Sequence, residues 1–300
     1  MDFKPVVDLC DKVNVKYIFN AKTSALNSFK IGGYARLVIY PDCLFDFCAI
    51  LDAVVDYKYK FVILGNGTNV YFGDYFDGII IVTKHLSAVT VEENYLTALC
   101  GTDLTLSSNY AYKSSLTGFE FAYGIPGTVG GAIYMNASAF GRSISQVVYK
   151  SIVYDLFEKR IREIYSDEHK FEEKCSVFSK EKRYVVLKTV FNLSSGEMNL
   201  INEKMLTYMS RRIKSQPLNL PSAGSVFLKP KNNFASKLID EAGLKGTKIG
   251  GIEVSQKHAG FFVNTSNGTA KDVNDLIFYV KSVIKEKYNI DLKEEIIFIE

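Results

Sequence analysis

The sequence lacks tryptophan, has three histidines, and none of its five cysteines forms a C-x-x-C pair. Zinc sites and redox dithiols usually show such pairs, so neither is expected and no metal site is predicted. The cysteines are odd in number and scattered, at Cys10, Cys43, Cys48, Cys100 and Cys175. Free thiols in a reducing cytosol are the favoured interpretation.

Long runs of one residue class are also missing. The net charge is only +3, from 36 basic and 33 acidic residues, whereas a nucleic-acid-binding protein usually concentrates basic charge on one face. No apolar run approaches the ~20 residues of a membrane-spanning helix, and residues 1–5 lack the basic-then-apolar layout of a signal peptide. We expect a soluble, cytoplasmic protein that binds neither nucleic acid nor membranes, and no protein partner is implied.

The sequence is rich in apolar residues, which make up 47% of its 300 positions. That is enough to bury a substantial core and fits two domains better than one. Short apolar runs predict strands, and apolar residues three or four apart predict helices. The predicted strands cover residues 36–40, 60–64, 78–82, 185–192, 225–228, 260–263 and 295–299, with a hairpin at 89–100 and strand-like alternation at 149–164.

Predicted helices cover residues 44–55, 104–115 and 234–242. Two longer ones follow from their apolar faces, which are Met198, Ile201, Met205, Met209 and Ile213 in the first and Val273, Leu276, Ile277, Val280 and Ile284 in the second. Residues 124–141 look like a long turn-rich segment. The first long helix opens at Gly196, so a domain boundary is predicted near residue 195.

Two glycine-rich turns are the most informative local feature. The first, Gly65-Asn66-Gly67-Thr68-Asn69, follows a predicted strand, and alternating glycines there let backbone N–H groups point into one concavity that suits a phosphate. It is neither a G-x-G-x-x-G fingerprint nor a P-loop. The second turn and the segment after it supply Gly124, Ile125, Pro126, Gly127, Thr128, Gly131 and Asn136.

Glycines in the second turn remove side chains where the backbone approaches something flat or phosphorylated. Pro126 stiffens this turn, and Asn136 supplies an amide near the far end of the segment. Together the two turns predict a ligand cradle, with a purely structural double turn as the alternative.

Four ordered blocks, at residues 124–137, 216–218, 221–227 and 257–264, carry a resemblance that covers nearly the whole chain. The sequence resembles the vanillyl-alcohol-oxidase-like FAD-binding superfamily and, within it, the shorter structural type of the UDP-N-acetylenolpyruvoylglucosamine reductase (UDP-N-acetylmuramate dehydrogenase) family. The resemblance implies an α+β fold. Its FAD-binding domain, residues 1–195, would have two lobes split near residue 85, and residues 196–300 would form a smaller C-terminal α/β substrate domain.

The resemblance also implies an activity. FAD takes a hydride from NADPH and passes it to UDP-N-acetylglucosamine enolpyruvate, giving UDP-N-acetylmuramate for peptidoglycan synthesis, and hence for cell wall, cell shape and cell division. The cofactors implied are FAD, held by the two glycine turns, and NADPH. Alternatives are another flavin oxidase or dehydrogenase of the superfamily, and a non-catalytic protein that binds a flavin or a sugar nucleotide.

Two catalytic residues are implied by matching motif positions. Ser225 matches the family's proton donor, and a serine can act there because an enolate-like carbon is a much stronger base than a serine alkoxide. Glu295 matches the catalytic glutamate on the last strand. Glu294 is the alternative in register, since adjacent strand residues face opposite ways.

The third catalytic position departs from the family pattern. The family has Tyr-Arg-x-Ser, in which the arginine stabilises the carboxylate of the intermediate, whereas this chain has Glu173-Lys174-Cys175-Ser176. Lys174 keeps the positive charge but lacks the planar fork that binds a carboxylate bidentately. Arg183 is the alternative cation.

Three residues are candidates for substrate binding. Lys245 and His258 match positions that contact the sugar nucleotide in relatives, although a lone histidine among apolar residues is as often structural. Arg212 lies with Arg211 and Lys214 at a predicted helix end. This cluster is either a clamp for the diphosphate or a favourable partner of the helix dipole.

Overall fold

Short strands alternate with helices along the chain in the computed structural model, which describes residues 3–300. The helices are α1 (Lys4–Lys12), α2 (Leu44–Asp56), α3 (Leu104–Lys113), α4 (Val129–Met135), α5 (Val177–Glu181), α6 (Met198–Ser215), α7 (Ala235–Glu241) and α8 (Ala270–Tyr288). Among these residues, no helix has both the length and the apolar character needed to cross a membrane. All five cysteines are free thiols.

The strands are mostly short. They are β1 (Lys16–Lys22), β2 (Tyr34–Tyr40), β3 (Phe61–Leu64), β4 (Val70–Phe72), β5 (Tyr75–Val82), β6 (Val89–Glu92), β7 (Tyr95–Leu99), β8 (Leu116–Thr117), β9 (Ser138–Ala139), β10 (Arg142–Ser143), β11 (Val148–Asp155), β12 (Arg160–Tyr165), β13 (Tyr184–Asn192), β14 (Ser194–Ser195), β15 (Lys248–Ile249), β16 (Ile252–Val254), β17 (Phe262–Asn264) and β18 (Ile297–Ile299).

Contacts divide the chain into two units. Unit 1 holds the described residues up to Phe19 together with Leu37–Asn66 and Gly78–Arg211, and unit 2 holds Asn20–Arg36, Gly67–Asp77 and Arg212–Glu300. This division does not follow a single cut in the chain. The boundary near residue 195 and the split near residue 85 stay predictions about folding domains.

Unit 1 contains a five-stranded antiparallel sheet in the order β12-β11-β13-β7-β6. A second sheet has the order β1-β2-β5-β3, in which β3 and β5 run parallel and pair Phe61 with Ile79. The run from Ile79 to Val82 is buried throughout. Such continuous apolar runs are typical of parallel strands covered on both faces.

Unit 2 contains the antiparallel sheet β15-β16-β17 and the parallel pair β4 and β18. Helix α8 begins at Thr269, whose side chain accepts from the backbone N–H of Asp272, and ends at Asn289 in the left-handed conformation. The predicted apolar face of α8 is confirmed, because its five residues are all buried in one hydrophobic cluster.

Helix α4 occupies part of the segment predicted to be a long turn, and that prediction is wrong. The Thr128 side chain accepts a hydrogen bond from the N–H of Gly131, and Asn136 ends the helix in the left-handed conformation. Val129, Ala132 and Ile133 are buried at helical spacing. Adjacent glycines lower helix propensity, which hid this short amphipathic pattern in the sequence.

The predicted apolar face of α6 is only partly correct. Ile201 and Met205 are buried, whereas Met198 and Ile213 are 43% and 52% exposed. A helix turns about 100° per residue, so residues spaced four apart drift round the axis by about 40° at each step, which makes about 120° between Ile201 and Ile213. The predicted strand at residues 225–228 is instead a segment held by isolated β-bridges at Ser225 and Phe227.

A buried polar cluster lies inside unit 1. His169 is fully buried, its Nδ1 lies 2.7 Å from the carbonyl oxygen of Tyr165, and its Nε2 lies 2.9 Å from the hydroxyl of Ser151. Ser151 in turn contacts the hydroxyl of Thr189 at 3.1 Å. A neutral imidazole satisfies these partners by donating from Nδ1 and accepting at Nε2. Burial lowers the pKa of His169, although its hydrogen bond to Tyr165 opposes that shift.

We expect the free energy of unfolding to fall as the pH drops below the ordinary histidine pKa of about 6.5. The unfolded chain takes up a proton in that range, whereas folded His169 with its lowered pKa does not, so stability is lost until the pH reaches the folded pKa. Denaturant unfolding of the wild type and of His169→Gln between pH 5 and pH 8 measures this loss. His258→Gln is a second test of the same argument, because burial also lowers the pKa of His258 and its pH slope should flatten as well. Equal pH slopes for the wild type and His169→Gln would contradict the assignment to His169.

Candidate active site

The two glycine turns meet within unit 1. A Cβ atom on Gly65 would lie 2.2 Å from the Thr128 hydroxyl oxygen, so only glycine fits where β3 ends. The Asn66 side-chain amide donates to Asp103 Oδ1 at 2.6 Å and to the carbonyl oxygen of Pro126 at 3.0 Å. The end of β3 and the second turn are therefore tied together, as the prediction of one cradle requires.

Residues 100–104 support the second turn and were not among the predicted site residues. The N–H groups of Val129 and Gly130 donate to the carbonyl oxygens of Thr102 (2.8 Å) and Cys100 (2.7 Å). The N–H of Leu104 donates to Gly127 O at 3.0 Å, and Asp103 forms a β-bridge with Thr128. No motif marks this support, because it consists of backbone contacts between segments distant in sequence.

The first turn of α4 has open space beside it. Gly131 is exposed, and a Cβ atom there would touch only Thr128 Oγ1, at an ordinary 3.5 Å. The N–H groups of Val129, Gly130 and Gly131 already donate within the protein, so the helix start offers a ligand open space and not free donors. A cradle of this kind fits FAD, since a side chain at Gly131 would fill the space that a ligand needs.

Asn136 is buried, and the structure engages both ends of its amide. Its Nδ2 donates to the carbonyl oxygen of Glu172 at 2.9 Å, and its Oδ1 accepts from the N–H of Ser145 at 3.1 Å. The backbone has φ +44°, in the left-handed region that asparagine tolerates. A direct contact of Asn136 with the cofactor stays a prediction.

Lys174 lies in a closed turn of unit 1. The residues on either side, Glu172 and Cys175, exchange both backbone hydrogen bonds, at 3.0 and 3.3 Å. Lys174 itself has φ +55°, a left-handed conformation unusual for lysine. Its side chain is half-buried.

Arg183 forms ion pairs with two carboxylates in unit 1. Its guanidinium contacts Asp155 at 2.6 Å and Glu158 at 2.8 Å, and Asp155 is fully buried. Burial alone would raise the pKa of Asp155, but hydrogen bonds from Arg183 and from two backbone N–H groups outweigh it and lower that pKa to about 2. Removing Arg183 would leave a buried carboxylate without its main partner.

Ser225 and Glu295 lie on neighbouring chain segments of unit 2. The segment after Gly224 runs between residues 260–261 and 293–295, since the Val226 N–H donates to Gly260 O at 2.9 Å and the Glu295 N–H donates to Val226 O at 2.7 Å. Ser225 forms a bridge with Phe261. Both Ser225 and Glu295 are half-buried.

The structure distinguishes Glu294 from Glu295. Glu294 lies opposite Phe227 in an isolated bridge, and its carboxylate binds the ammonium group of Lys281 on α8 at 2.7 Å. Because successive residues of an extended segment face opposite ways, Glu295 points away from that ion pair. This arrangement favours Glu295 over Glu294.

The remaining part of the first glycine turn belongs to unit 2. Gly67 has φ +61°, and its carbonyl oxygen accepts from the N–H of Ser28 at 3.0 Å. Asn69 donates through Nδ2 to Glu295 O at 3.1 Å, and Asn69 O accepts from the N–H of Ile297 at 2.9 Å. Asn69 therefore braces the segment that carries Glu295. Thr68 lies between them, half-buried.

Lys245 and His258 line one open groove of unit 2, with a volume of about 480 Å³. Lys245 pairs with Asp240 at 2.7 Å. His258 Nδ1 accepts from the N–H of Gly260 at 3.1 Å, its ring packs edge-on against Phe261, and burial lowers its pKa. The groove is also lined by Phe234, Ser236, Lys237, Glu241, Lys257 and Ala259.

Arg212 is not among the residues that line this groove. It is buried near the end of α6, and its Nη1 contacts Gln216 Oε1 at 3.2 Å. Burial lowers its pKa. Among residues 3–300, no cluster of His, Cys, Asp and Glu could hold a metal ion.

Comparison with known proteins shows a match in both parts of the chain. An "FAD binding domain" family model matches residues 35–154, and a model described as "UDP-N-acetylenolpyruvoylglucosamine reductase, C-terminal domain" matches residues 216–299. The UDP-N-acetylenolpyruvoylglucosamine reductase of Clostridium novyi is 40% identical over 98% of this chain and 94% of its own length. That of Caldanaerobacter subterraneus is 41% identical over 94% and 93%.

Solved structures agree on the fold. The crystal structure of UDP-N-acetylenolpyruvylglucosamine reductase (MurB) from Thermus caldophilus superposes with a TM-score of 0.80 at 24% identity, over 95% of this chain and 99% of that one. A glucooligosaccharide oxidase from Acremonium strictum gives a TM-score of 0.50 at 12% identity, over 98% and 60%. The predicted α+β flavin-binding fold is confirmed. With an FAD-binding domain and relatives at about 40% identity over nearly its full length, the chain belongs to the UDP-N-acetylenolpyruvoylglucosamine reductase family of FAD-dependent oxidoreductases.

Proposed function

We propose that this protein reduces UDP-N-acetylglucosamine enolpyruvate to UDP-N-acetylmuramate with NADPH, as a cytoplasmic step of peptidoglycan precursor synthesis. The observation that carries the proposal is the pairing of Ser225 and Glu295 on adjacent segments, in a chain 40% identical to a reductase of that name over 98% of its length. Small molecules are the proposed partners.

The glycine turns are proposed to hold FAD, which when bound takes a hydride from NADPH and delivers it to the enol ether. Gly65 and Gly131 keep the cradle free of side chains, and Thr128 fixes the start of α4. Asn66 and Pro126 keep the two turns in register through their hydrogen bond. These contacts set the position of the cradle before any ligand arrives, which limits the entropy lost on binding.

Ser225 is proposed to donate a proton to the carbon next to the one that receives hydride, and Glu295 to act beside it. Reduction pushes negative charge toward the substrate carboxylate, so the carbon becomes basic enough to take a proton from a serine hydroxyl. Backbone hydrogen bonds fix both residues. The Asn69 side chain adds a further bond to the carbonyl oxygen of Glu295.

Lys174 is proposed to stabilise the negative charge that develops on the substrate carboxylate. A fixed cation near developing charge is usually among the largest contributions to catalysis. Arg183 is a poorer candidate, because its guanidinium already compensates buried Asp155. The groove with Lys245 and His258 is proposed to bind the sugar nucleotide, and Arg212 is proposed to act near its diphosphate.

The half-reactions test the function directly. We expect the purified protein to be yellow, to bleach with NADPH, and to regain its colour when the enolpyruvyl sugar nucleotide is added without oxygen. Ser225→Ala should still bleach with NADPH but should form no product, because only the second half-reaction needs that proton. Absorbance at the flavin band follows both steps. If substrate does not reoxidise the bleached wild type, the proposal fails, and equal loss of both steps in Ser225→Ala would show that its role is misassigned.

Lys174→Ala should reduce turnover by about 10²- to 10³-fold, the usual loss when a stabilising group is removed, with FAD content unchanged. Lys182→Ala is the matched control, since Lys182 is also a lysine with positive φ (50°) on the same stretch of chain and is exposed. Steady-state NADPH oxidation with substrate, normalised to bound flavin, measures the effect. Full activity in Lys174→Ala would mean that the cation comes from elsewhere.

Gly131→Ala should lower the FAD content while leaving the apoprotein at least as stable as the wild type. A Cβ atom at this position meets no close atom of the protein, and alanine in a helix is more favourable than glycine by about 1 kcal/mol. A loss of bound FAD would therefore come from a clash with the ligand and not from a destabilised protein. Bound flavin per chain and the thermal midpoint of the apoprotein are the two measurements; unchanged flavin content would place the cofactor away from α4.

A further inference from the structure

The turn that carries Lys174 is fixed to the end of α4 at two points. On its entry side the carbonyl oxygen of Glu172 accepts from Asn136 Nδ2 at 2.9 Å. On its exit side the Ser176 hydroxyl donates to the carbonyl oxygen of Tyr134 at 2.7 Å. We call these two hydrogen bonds the turn clamp. The side chains of Asn136 and Ser176 are both buried, so water competes little for either bond.

The clamp acts on a turn that is already closed. Glu172 and Cys175 exchange backbone hydrogen bonds across it, and Lys174 is held at φ +55°. A lysine rarely adopts this conformation unless its surroundings impose it. The two anchors and the closed turn therefore specify where the Cα–Cβ bond of Lys174 points.

Helix α4 links this turn to the glycine cradle. Its first turn holds Thr128 and Gly131, and its last residues are followed by Asn136. Seven residues of α-helix are about 10 Å long, so the cradle and the clamp sit at opposite ends of one short rigid element. Any ligand held at the start of α4 has a fixed geometry relative to the backbone of Lys174.

We propose that Asn136 and Ser176 are positioning residues that fix Lys174 relative to the cradle through the turn clamp. This rests on the proposed function in one respect, namely that Lys174 acts on the substrate. A lysine ammonium group is a point charge on a flexible stem and has no planar fork to align itself. Its placement therefore depends on the direction of the backbone that carries it, and a misplacement of about 1 Å can cost about 10²-fold in rate.

Asn136→Asp is the sharpest variant. Aspartate is nearly isosteric, tolerates the left-handed backbone, and still accepts from Ser145, but at neutral pH it cannot donate to Glu172 O and repels that oxygen instead. Ser176→Ala removes the second anchor. Asn289→Asp is the matched control, because Asn289 also ends a helix in the left-handed conformation, at φ +55°, and is exposed in unit 2.

Hydrogen–deuterium exchange tests the clamp without any activity measurement. The expected result is faster exchange of the amides of Glu172 and Cys175 in Asn136→Asp and in Ser176→Ala, and unchanged exchange in Asn289→Asp. Unchanged exchange at both amides in both variants would overturn the clamp. This measurement decides the clamp even if the wild type fails to turn over the enolpyruvyl substrate, in which case it is the proposed function that fails.

A double-mutant cycle then tests the link to Lys174. Asn136→Asp should slow flavin reoxidation by substrate about 10- to 100-fold more than it slows flavin reduction by NADPH. The variant carrying both Asn136→Asp and Lys174→Ala should be no slower than Lys174→Ala alone, because a misplaced and an absent cation fail in the same way. Multiplicative losses, or equal losses in the two half-reactions, would show that Asn136 does not act through Lys174.

Discussion

The close packing of Gly65 against Thr128 sets the geometry on which the rest of the site in unit 1 depends. A single Cβ atom would lie 2.2 Å from the threonine hydroxyl, so the end of β3 and the start of α4 meet with no room for a side chain. Thr128 also caps α4. Because the helix is rigid, its position at one end determines the position of Asn136 at the other, and through it the turn of Lys174.

Backbone hydrogen bonds play the corresponding part in unit 2. Ser225 and Glu295 are held by bonds from Val226 to Gly260 and from Glu295 to Val226, with Val226 itself buried. Main-chain bonds need no particular side chain, and Asn69 adds one side-chain bond to the carbonyl oxygen of Glu295. Val226 and Ile296 are buried, and Glu294 binds Lys281 on α8. Because successive residues of an extended segment face opposite ways, Glu295 lies on the face opposite to Glu294.

The sequence predicts those parts of the molecule whose cause is local. The stripe of α8 runs from Val273 to Ile284 in a helix of 19 residues that begins with a capping box, so periodicity alone predicts the helix and its buried face. Periodicity does not predict helix α4, because two of its seven residues are glycines and the apolar pattern is too short to recognise. The support from Asp103 and the left-handed turn of Lys174 arise from contacts between distant segments. No local propensity encodes such contacts, and only the family resemblance pointed to Lys174.

These constraints explain how a lysine can stand at position 174, where the family has an arginine. Arg183 cannot exchange roles with it, since its guanidinium is already bound to buried Asp155. An arginine can align itself on a carboxylate through its planar fork, and a lysine cannot. A lysine at this position therefore needs its direction set by the main chain. The closed turn, the positive φ and the two anchors on α4 supply that direction.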